Sequence, residues 1–286
     1  MGIRHNRTFG LVGHPVSHSL SPLIFKNLSE LTGEAVAYFG VDLEPWQVDR
    51  FMELSRRWGW AGFNVTHPLK ELVMRRLGVL SDEARAVGAV NTVKLERGRW
   101  AGYNTDGEGL IAALVEHGVK LKSEAVCVWG AGGAAGAACL AAARLGASRV
   151  FIRNRSARRA RSLAKRMEAA FPGTSFEPAA AGQRAVRKSV LWINATPVGM
   201  PGLEGSGRTW SIPADARGTA CDFVYSSAPT PFLEAARKSG LGLIGGREIL
   251  IYQALAAWEI WVGSLGRKRK IKRLLEKRLP SPVRSN

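Results

Sequence analysis

Cysteine is scarce in this chain, with three in 286 residues. Cys127, Cys139 and Cys221 stand far apart in apolar surroundings. No CxxC pair and no histidine at ligand spacing accompanies them. That excludes a disulfide framework and a zinc site, and predicts buried thiols in a reducing, cytoplasmic compartment. Long apolar runs are also missing. Each is interrupted by Gly, Arg or Glu, well short of the roughly 20 residues that a membrane span needs. The opening Met1–Arg7 has no apolar core with a small-residue cleavage site, so no export leader is expected. Neither an internal repeat nor a low-complexity segment is present, which removes solenoid and disordered classes.

Acidic residues are in deficit, 23 against 41 Lys and Arg, for a net charge of +18. Such a balance raises the question of a nucleic-acid partner, and its distribution answers much of it. The stretch from Arg267 to the C-terminus carries net +8, and Arg153–Arg166 carries +7 with no acid, so the rest is near neutral. In the tail, Ile271, Leu274, Leu275 and Leu279 recur at helical spacing among the cations. This pattern predicts an amphipathic helix docked on the body with a solvated basic face. No aromatic residue interleaves the cations for base stacking, which argues against nucleic acid.

Strand and helix signals alternate along the chain. Thr8–Gly13, Ala35–Val41 and Gly62–Thr66 read as strands. Helices are expected from Pro22 to Thr32, stopped by Gly33, and from about Pro45 to Trp58. A second alternation follows a helix opening at Asn104-Thr105-Asp106-Gly107 and stopping at Gly118. Its strands are Ala125–Trp129, Arg149–Ile152, Val190–Asn194 and Thr219–Val224. A Gly/Ala-rich helix follows Gly130 and a basic one spans about Ser156–Ala170. Final helices are expected at about Arg247–Ser264 and Lys268–Arg278. The fold class is therefore α/β, with two mostly parallel units.

Gly130-Ala131-Gly132-Gly133-Ala134-Ala135 places a G-x-G-x-x-A string directly between a strand and a helix. Gly130 permits the tight turn, Gly132 lets the backbone approach a pyrophosphate, and small Ala135 lets the helix pack on the strand. The helix N-terminus then offers unpaired N–H groups and partial positive charge. A Gly-rich loop in a packed domain is the bland alternative, but the strand before and the helix after meet the context that nucleotide binding requires. At the end of the next strand, where an NAD enzyme places Asp or Glu, this chain has Asn154-Arg155-Ser156 and then Arg158 and Arg159. A carboxylate there would repel a 2′-phosphate, whereas a guanidinium grips it, so NADP is the expected cofactor. Some of Arg161, Lys165 and Arg166 are read only as a solvated helix face.

In the first unit, Gly13–Pro22 clusters hydroxyls at a strand-to-helix turn, and Asn64-Val65-Thr66-His67-Pro68-Leu69-Lys70 puts a lysine in a first helical turn. Gly88–Thr92 and Gly102–Gly107 add amides and one carboxylate. Singly, each has a structural explanation: Ser21 or Asp106 as a helix cap, Lys70 as a solvated side chain. Yet the macrodipole opposes a cation in a first turn, which suggests an anion or a catalytic task for Lys70.

Taken in order, G-x-P-x-x-H-S-x-S-P, N-V-T-x-P-x-K, G-A-V-N-T, N-T-D-G, G-x-G-G-A, N-R-[ST]-x-x-R and N-A-T-P-x-G-M resemble the shikimate dehydrogenase family from about Phe9 to Gly263. The resemblance implies a substrate-binding and catalytic domain at 1–106, completed by 246–286. It also implies a Rossmann NADP domain at 107–245 and C-terminal helices that return to the first domain. The implied activity is NADP-dependent, reversible reduction of 3-dehydroshikimate to shikimate, on the route to aromatic amino acids. Lys70 and Asp106 would be the proton-transfer pair. Ser19 and Ser21 would hold the substrate carboxylate, Thr66, Asn91 and Gln253 its hydroxyls, and Tyr225 the cleft beside them. Gly130, Ala131, Gly132, Gly133, Ala134, Asn154, Arg155, Ser156, Arg159, Thr196, Val224 and Gly246 would contact the cofactor. No metal and no membrane are implied, and the assembly would be a monomer or homodimer.

The chain departs from the family at His67 and Leu69, at Gly136, across Gly246–Leu250, and at Ala254. These positions put substrate preference in question, leaving the reaction class alone. A sister enzyme acting on quinate and an NADP-sensing or nucleic-acid-binding relative are the competing readings.

Overall fold

The structure, a computed structural model, describes residues 7–180, 184–200, 210, 212–226 and 228–280. The leader reading over Met1–Asn6 and the tail past Pro280, with Arg284, lie outside the described residues. The chain divides into two compact units. One runs to Thr105 and resumes over Gln253–Pro280, and the other spans Asp106–Tyr252.

The first unit contains β1 (Arg7–Gly13), α1 (Ser21–Thr32), β2 (Val36–Asp42), a short 3₁₀ turn at Pro45–Gln47, α2 (Val48–Arg57), β3 (Gly62–Val65), α3 (Lys70–Met74), β4 (Val79–Leu80), α4 (Asp82–Val87), β5 (Thr92–Glu96) and β6 (Arg99–Tyr103). Its six-stranded sheet has the order β2-β1-β3-β5-β6-β4. β1 pairs in parallel with β2 and β3, whereas β5 runs antiparallel to both β3 and β6. Val12, Phe63, Val65, Val90 and Val93 pack with Val48, Met52, Leu69 and Val73 in one buried cluster. In α1 the buried Ile24, Phe25 and Leu28 recur one turn apart, and Gly33 ends the helix at φ 71°.

The second unit contains α5 (Asp106–Glu116), β7 (Ala125–Trp129), α6 (Gly133–Arg144), β8 (Arg149–Arg153), α7 (Ala157–Ala170), β9 (Ser175–Pro178), a 3₁₀ turn at Arg184–Lys188, β10 (Ser189–Asn194), β11 (Thr219–Asp222), α8 (Pro231–Lys238) and β12 (Gly242–Ile244). The chain then crosses back to the first unit within α9 (Gly246–Trp261) and ends its helices with α10 (Lys268–Arg278). The sheet order is β12-β11-β10-β7-β8-β9, parallel throughout. Read from β9, this is the doubly wound order in which direction reverses between β7 and β10, and the crevice outside the strand ends at that reversal is where such sheets bind nucleotides. Small residues set the packing of α6: Ala135 through Ala142 are all buried, and a Cβ on Gly107 of α5 would come within 2.9 Å of the Leu140 side chain.

Within the first unit, Trp261 of α9 stacks on Phe9 at 4.4 Å and donates from its indole N–H to the Val93 carbonyl. A Cβ on Gly62 would come within 2.7 Å of that indole nitrogen, so glycine is required there. α10 packs on α1, where Arg278 donates to Asn27 and Glu30, and Leu275 and Leu279 are buried. Among the described residues, no helix is long and apolar enough to cross a membrane, and no group of three His, Cys, Asp or Glu is arranged to hold a metal.

Candidate active site

In the second unit the site begins where β7 ends. Gly130 takes φ 121°, and a Cβ there would lie 2.7 Å from the Ala195 carbonyl oxygen, so only glycine can make this turn against the end of β10. Gly132 is the N-cap of α6, with extended backbone and no side-chain cap, and the first turn holds no acid. Ala131, Gly132, Gly133 and Ala134 are half-buried. Their backbone N–H groups at a helix N-terminus form an anion cradle. At the end of β8 the Asn154 side chain donates to the Ser156 carbonyl, and the Ser156 hydroxyl accepts from the Arg159 N–H to cap α7. Arg155, Arg158 and Arg159 are exposed beyond this turn, and no acid occurs between Arg149 and Glu168. This donor set fits a dinucleotide that carries a 2′-phosphate.

Thr196, Val224 and Gly246 come together beside that crevice. The Thr196 hydroxyl donates to Asn194 Oδ1 at 2.7 Å. The Asn194 amide donates to Asp222 Oδ1, which also accepts the Val224 N–H, each at 2.9 Å. A Cβ on Gly246 would stand 2.4 Å from the Val224 carbonyl oxygen, so the start of α9 lies directly against the 222–225 segment. Asp222 is fully buried, and burial pushes its carboxyl up to about 7 despite the donors around it. Sequence reading missed this residue; its only signal was an acid closing an otherwise apolar strand. Tyr225 follows Val224 and is half-buried.

In the first unit two turns meet. A Cβ on Gly13 would fall 2.3 Å from the Thr66 methyl group, and the His14 N–H donates to the His67 carbonyl at 3.0 Å. Ser19 and Ser21 follow the first turn. The Ser19 hydroxyl accepts the Ser21 N–H at 3.2 Å, and Leu20 is the N-cap of α1, so Ser21 is its first helical residue rather than its cap. His14 is anchored from its two ring nitrogens, Nδ1 by Asp42 and Nε2 by Glu44 at 3.4 Å. The hydrogen bond to Asp42 raises the His14 pKa and lowers that of Asp42. His67 titrates below its ordinary value, first because it is partly desolvated and then because Lys70 lies near. Lys70 opens α3, half-buried, and its carbonyl accepts the Val90 N–H.

Below these turns lies a buried amide network. Tyr38 donates to Asn64 Oδ1 at 2.8 Å, and the Asn64 amide donates to the Asn91 carbonyl and the Thr92 hydroxyl, each at 3.0 Å. The Asn91 amide donates to the Thr105 hydroxyl at 3.0 Å and to Gln253 Oε1 at 3.4 Å, and its Oδ1 accepts the Thr105 N–H at 2.8 Å. Four of the strings noted in the sequence thus meet, with Gln253 supplied from α9. Asp106 is buried as the first residue of α5 and falls in the second unit, whereas Lys70 falls in the first. The sequence does not single out Asn64, Tyr38 and Thr105 as site residues, because neutral polar side chains carry no chemical signature until their partners are known.

Residues 11–93 match the model of the shikimate dehydrogenase substrate binding domain. A shikimate dehydrogenase (NADP(+)) of Symbiobacterium thermophilum is 37% identical over 91% of this chain and 90% of its own. Among solved structures, shikimate 5-dehydrogenase from Thermus thermophilus in complex with NADP(H) and shikimate superposes with TM-score 0.81 at 34% identity, covering 96% of this chain and all of the other. The ligand-free 5-ketofructose reductase of a Gluconobacter strain gives TM-score 0.82 at 25% identity, covering 97% and 100%. The matched domain model spans the Asn64–Asn91 network, and the relatives match over nearly their full length; this chain belongs to the shikimate dehydrogenase family.

Proposed function

We propose that this protein catalyses the NADP-dependent, reversible reduction of 3-dehydroshikimate to shikimate, a step of aromatic amino acid biosynthesis. The observation that carries the reading is the end of β8, where arginines stand beside a glycine cradle and no acid is present. A site that presents cations in place of the ribose-binding carboxylate selects a 2′-phosphorylated cofactor. The first unit takes the substrate and the second takes the cofactor.

NADPH supplies a hydride to the ring carbon that bears the ketone. Lys70 gives a proton to the carbonyl oxygen as that carbon is reduced, and takes one back in the reverse direction. Asp106 orients the ammonium and the reacting hydroxyl. Ser19 and Ser21 bind the substrate carboxylate, and Thr66, Asn91 and Gln253 bind ring hydroxyls. The amide network beneath Asn91 holds its side chain in one orientation, so the hydroxyl is met by a preset donor and acceptor. Tyr225 also contacts the substrate. Gly130 to Ala134 receive the pyrophosphate, Asn154, Arg155, Ser156 and Arg159 the adenosine end, and Thr196, Val224 and Gly246 the nicotinamide end.

The three cysteines are free and fully buried, with burial raising every thiol pKa, Cys139 to about 12. Inert thiols of this kind support a cytoplasmic setting. The partners are small molecules, and the assembly is a monomer or a homodimer.

The test follows NADP+ reduction by absorbance with shikimate, then with quinate, and repeats both with NAD+. Turnover with shikimate and NADP+, lost by a factor of about 10² to 10⁴ in Lys70→Ala, is the expected result. Quinate turnover at a comparable kcat/KM would make this a quinate/shikimate enzyme of broader specificity. A wild-type protein that binds NADPH yet turns over neither acid would overturn the enzymatic reading and leave an NADP sensor.

A further inference from the structure

Asp222 is a buried carboxylate to which none of the chemistry above gives a role. It closes β11, opposite Asn194 at the end of β10, and its side chain is fully removed from solvent. Oδ1 accepts from the Asn194 amide and from the Val224 N–H, and Oδ2 accepts from the Thr230 hydroxyl. Each of these donors begins or ends a different piece of the site. Asn194 in turn accepts the Thr196 N–H at 3.0 Å and its hydroxyl at 2.7 Å, and the Thr196 hydroxyl accepts the Val198 N–H at 3.3 Å. Thr230 is the N-cap of α8, its hydroxyl accepting the Leu233 N–H.

A buried carboxylate is costly unless its lone pairs are filled. Here they are filled by donors from the end of β10, from the segment after β11 and from the cap of α8. Loop 194–198 leaves β10, segment 222–225 leaves β11, and Thr230, five residues later, caps α8. Removing the acceptor would leave the Val224 N–H and the Thr230 hydroxyl without this partner and the Asn194 amide with the Val198 carbonyl at 3.3 Å. The two loops would keep the Phe223–Asn194 backbone bond but lose their shared side-chain anchor. A purely packing role would be served by an apolar side chain, as at Ala220 and Cys221 of the same strand, both fully buried.

We propose that Asp222 is a positioning residue for hydride transfer: its carboxylate ties loop 194–198 to segment 222–225 and thereby sets the spacing of Thr196, Val224 and Tyr225. The inference rests on the NADP-dependent reading and deepens it. Among the described residues, Asp222 makes no hydrogen bond to the glycine cradle at Gly130–Ala134 or to the Asn154–Arg159 corner. The corner that meets the 2′-phosphate therefore keeps its own contacts, while Gly130 shares a backbone contact with Ala195 of the tied loop. The substrate residues of the first unit make no part of the network either.

The experiment compares wild type with Asp222→Asn, Thr230→Val and Thr230→Ser. Asp222→Asn keeps the shape and one acceptor, Thr230→Val removes one donor without changing volume, and Thr230→Ser restores the hydroxyl. Three quantities are read: affinity for adenosine 2′,5′-bisphosphate, the fluorescence of bound NADPH, and kcat with its primary deuterium isotope effect from NADPH deuterated at the transferred position. The expected result for Asp222→Asn and Thr230→Val is unchanged bisphosphate affinity and unchanged KM for shikimate. Alongside these, the bound nicotinamide emission is altered, kcat falls by about tenfold to a hundredfold, and the isotope effect is larger. Thr230→Ser returns to wild-type values. A loss of melting temperature with kcat, isotope effect and emission preserved would overturn the proposal, as would bisphosphate affinity falling in step with kcat. Should wild type fail to reduce 3-dehydroshikimate, the function reading falls, while emission and bisphosphate affinity still decide whether Asp222 positions the nicotinamide end.

Discussion

The Thr105 backbone N–H donates to Asn91 Oδ1 at 2.8 Å while the Asn91 amide donates back to the Thr105 hydroxyl at 3.0 Å, with both residues buried. This reciprocal pair joins the residue before β5 to the residue before α5, and Gln253 of α9 accepts from the same amide. Asn91→Ala would leave the Thr105 N–H buried without an acceptor, at about 1–3 kcal/mol. A drop of that size in the free energy of denaturation is expected, together with a rise in KM for shikimate and an unchanged KM for NADPH. An unaltered shikimate KM would remove Asn91 from the substrate site and leave it a folding role.

His14 and Asp42 give a pH prediction with a definite sign. The hydrogen bond to Asp42 raises the His14 pKa above 6.5, so the stability it contributes is complete below 6.5 and lost as pH rises through the raised value. Asp42 is held below 3.8, so its contribution is complete above 3.8 and lost as pH falls through the lowered value. The stability difference between wild type and His14→Asn should therefore be greatest between about pH 4 and 6.5 and shrink on both sides. Denaturation midpoints across pH 3 to 9 measure it. A difference that grows from pH 6.5 to 8.5 would show that the pair is not charge-coupled in solution. Both side chains are solvent-accessible, so added salt should diminish the effect.

Much of this architecture was legible because its signals are local. The strand Ala125–Trp129 and the helix Lys268–Arg278 match the structure residue for residue, since one is a continuous apolar run and the other a helical stripe. The β5–β6 hairpin was not read. Its turn is Arg97-Gly98, with φ 48° and 76°. An arginine in the left-handed region lacks the Asn or Asp signature that marks such turns. Short β4, β9 and β12 were likewise missed, because strands of two to four residues take their identity from sheet neighbours rather than from their own pattern. The same limit applies to the site. Lys70 and Arg155 announce themselves by charge, whereas Asn64 and Asp222 acquire their meaning only from partners 27 and 28 residues away.

Arg155 tests the choice of cofactor. It is exposed at the end of β8, where an acid would favour the unphosphorylated dinucleotide. A charge-assisted hydrogen bond to the 2′-phosphate is worth about 1.5–3 kcal/mol. Arg155→Glu removes that bond and adds repulsion, so KM for NADPH should rise by at least about tenfold while KM for NADH falls or stays level. KM for shikimate should not move. If NADPH and NADH weaken equally, Arg155 has only a structural part and the 2′-phosphate is read elsewhere.

The basic helix α10 tests the reading of the tail. Leu275 and Leu279 are buried and Arg278 donates to Glu30 of α1 at 3.2 Å, so the helix is docked on the first unit by its apolar stripe. Arg267, Lys268, Arg269, Lys270, Arg273 and Lys277 remain exposed on it. Burial of the two leucines is worth about 1.5–3 kcal/mol each, while an exposed ion pair adds under about 1 kcal/mol. Deletion from Arg267 onward should therefore lower the melting temperature and leave kcat and both KM values near wild type. The cofactor arginines belong to the other unit, so a large rise in KM for NADPH would contradict the account given for Arg155. Binding to duplex DNA gives the remaining discrimination. A solvated face yields weak retention that the deletion and moderate salt abolish without consequence for turnover. Tight binding whose logarithm falls steeply with salt, and which disappears on deletion, would instead assign α10 a nucleic-acid partner.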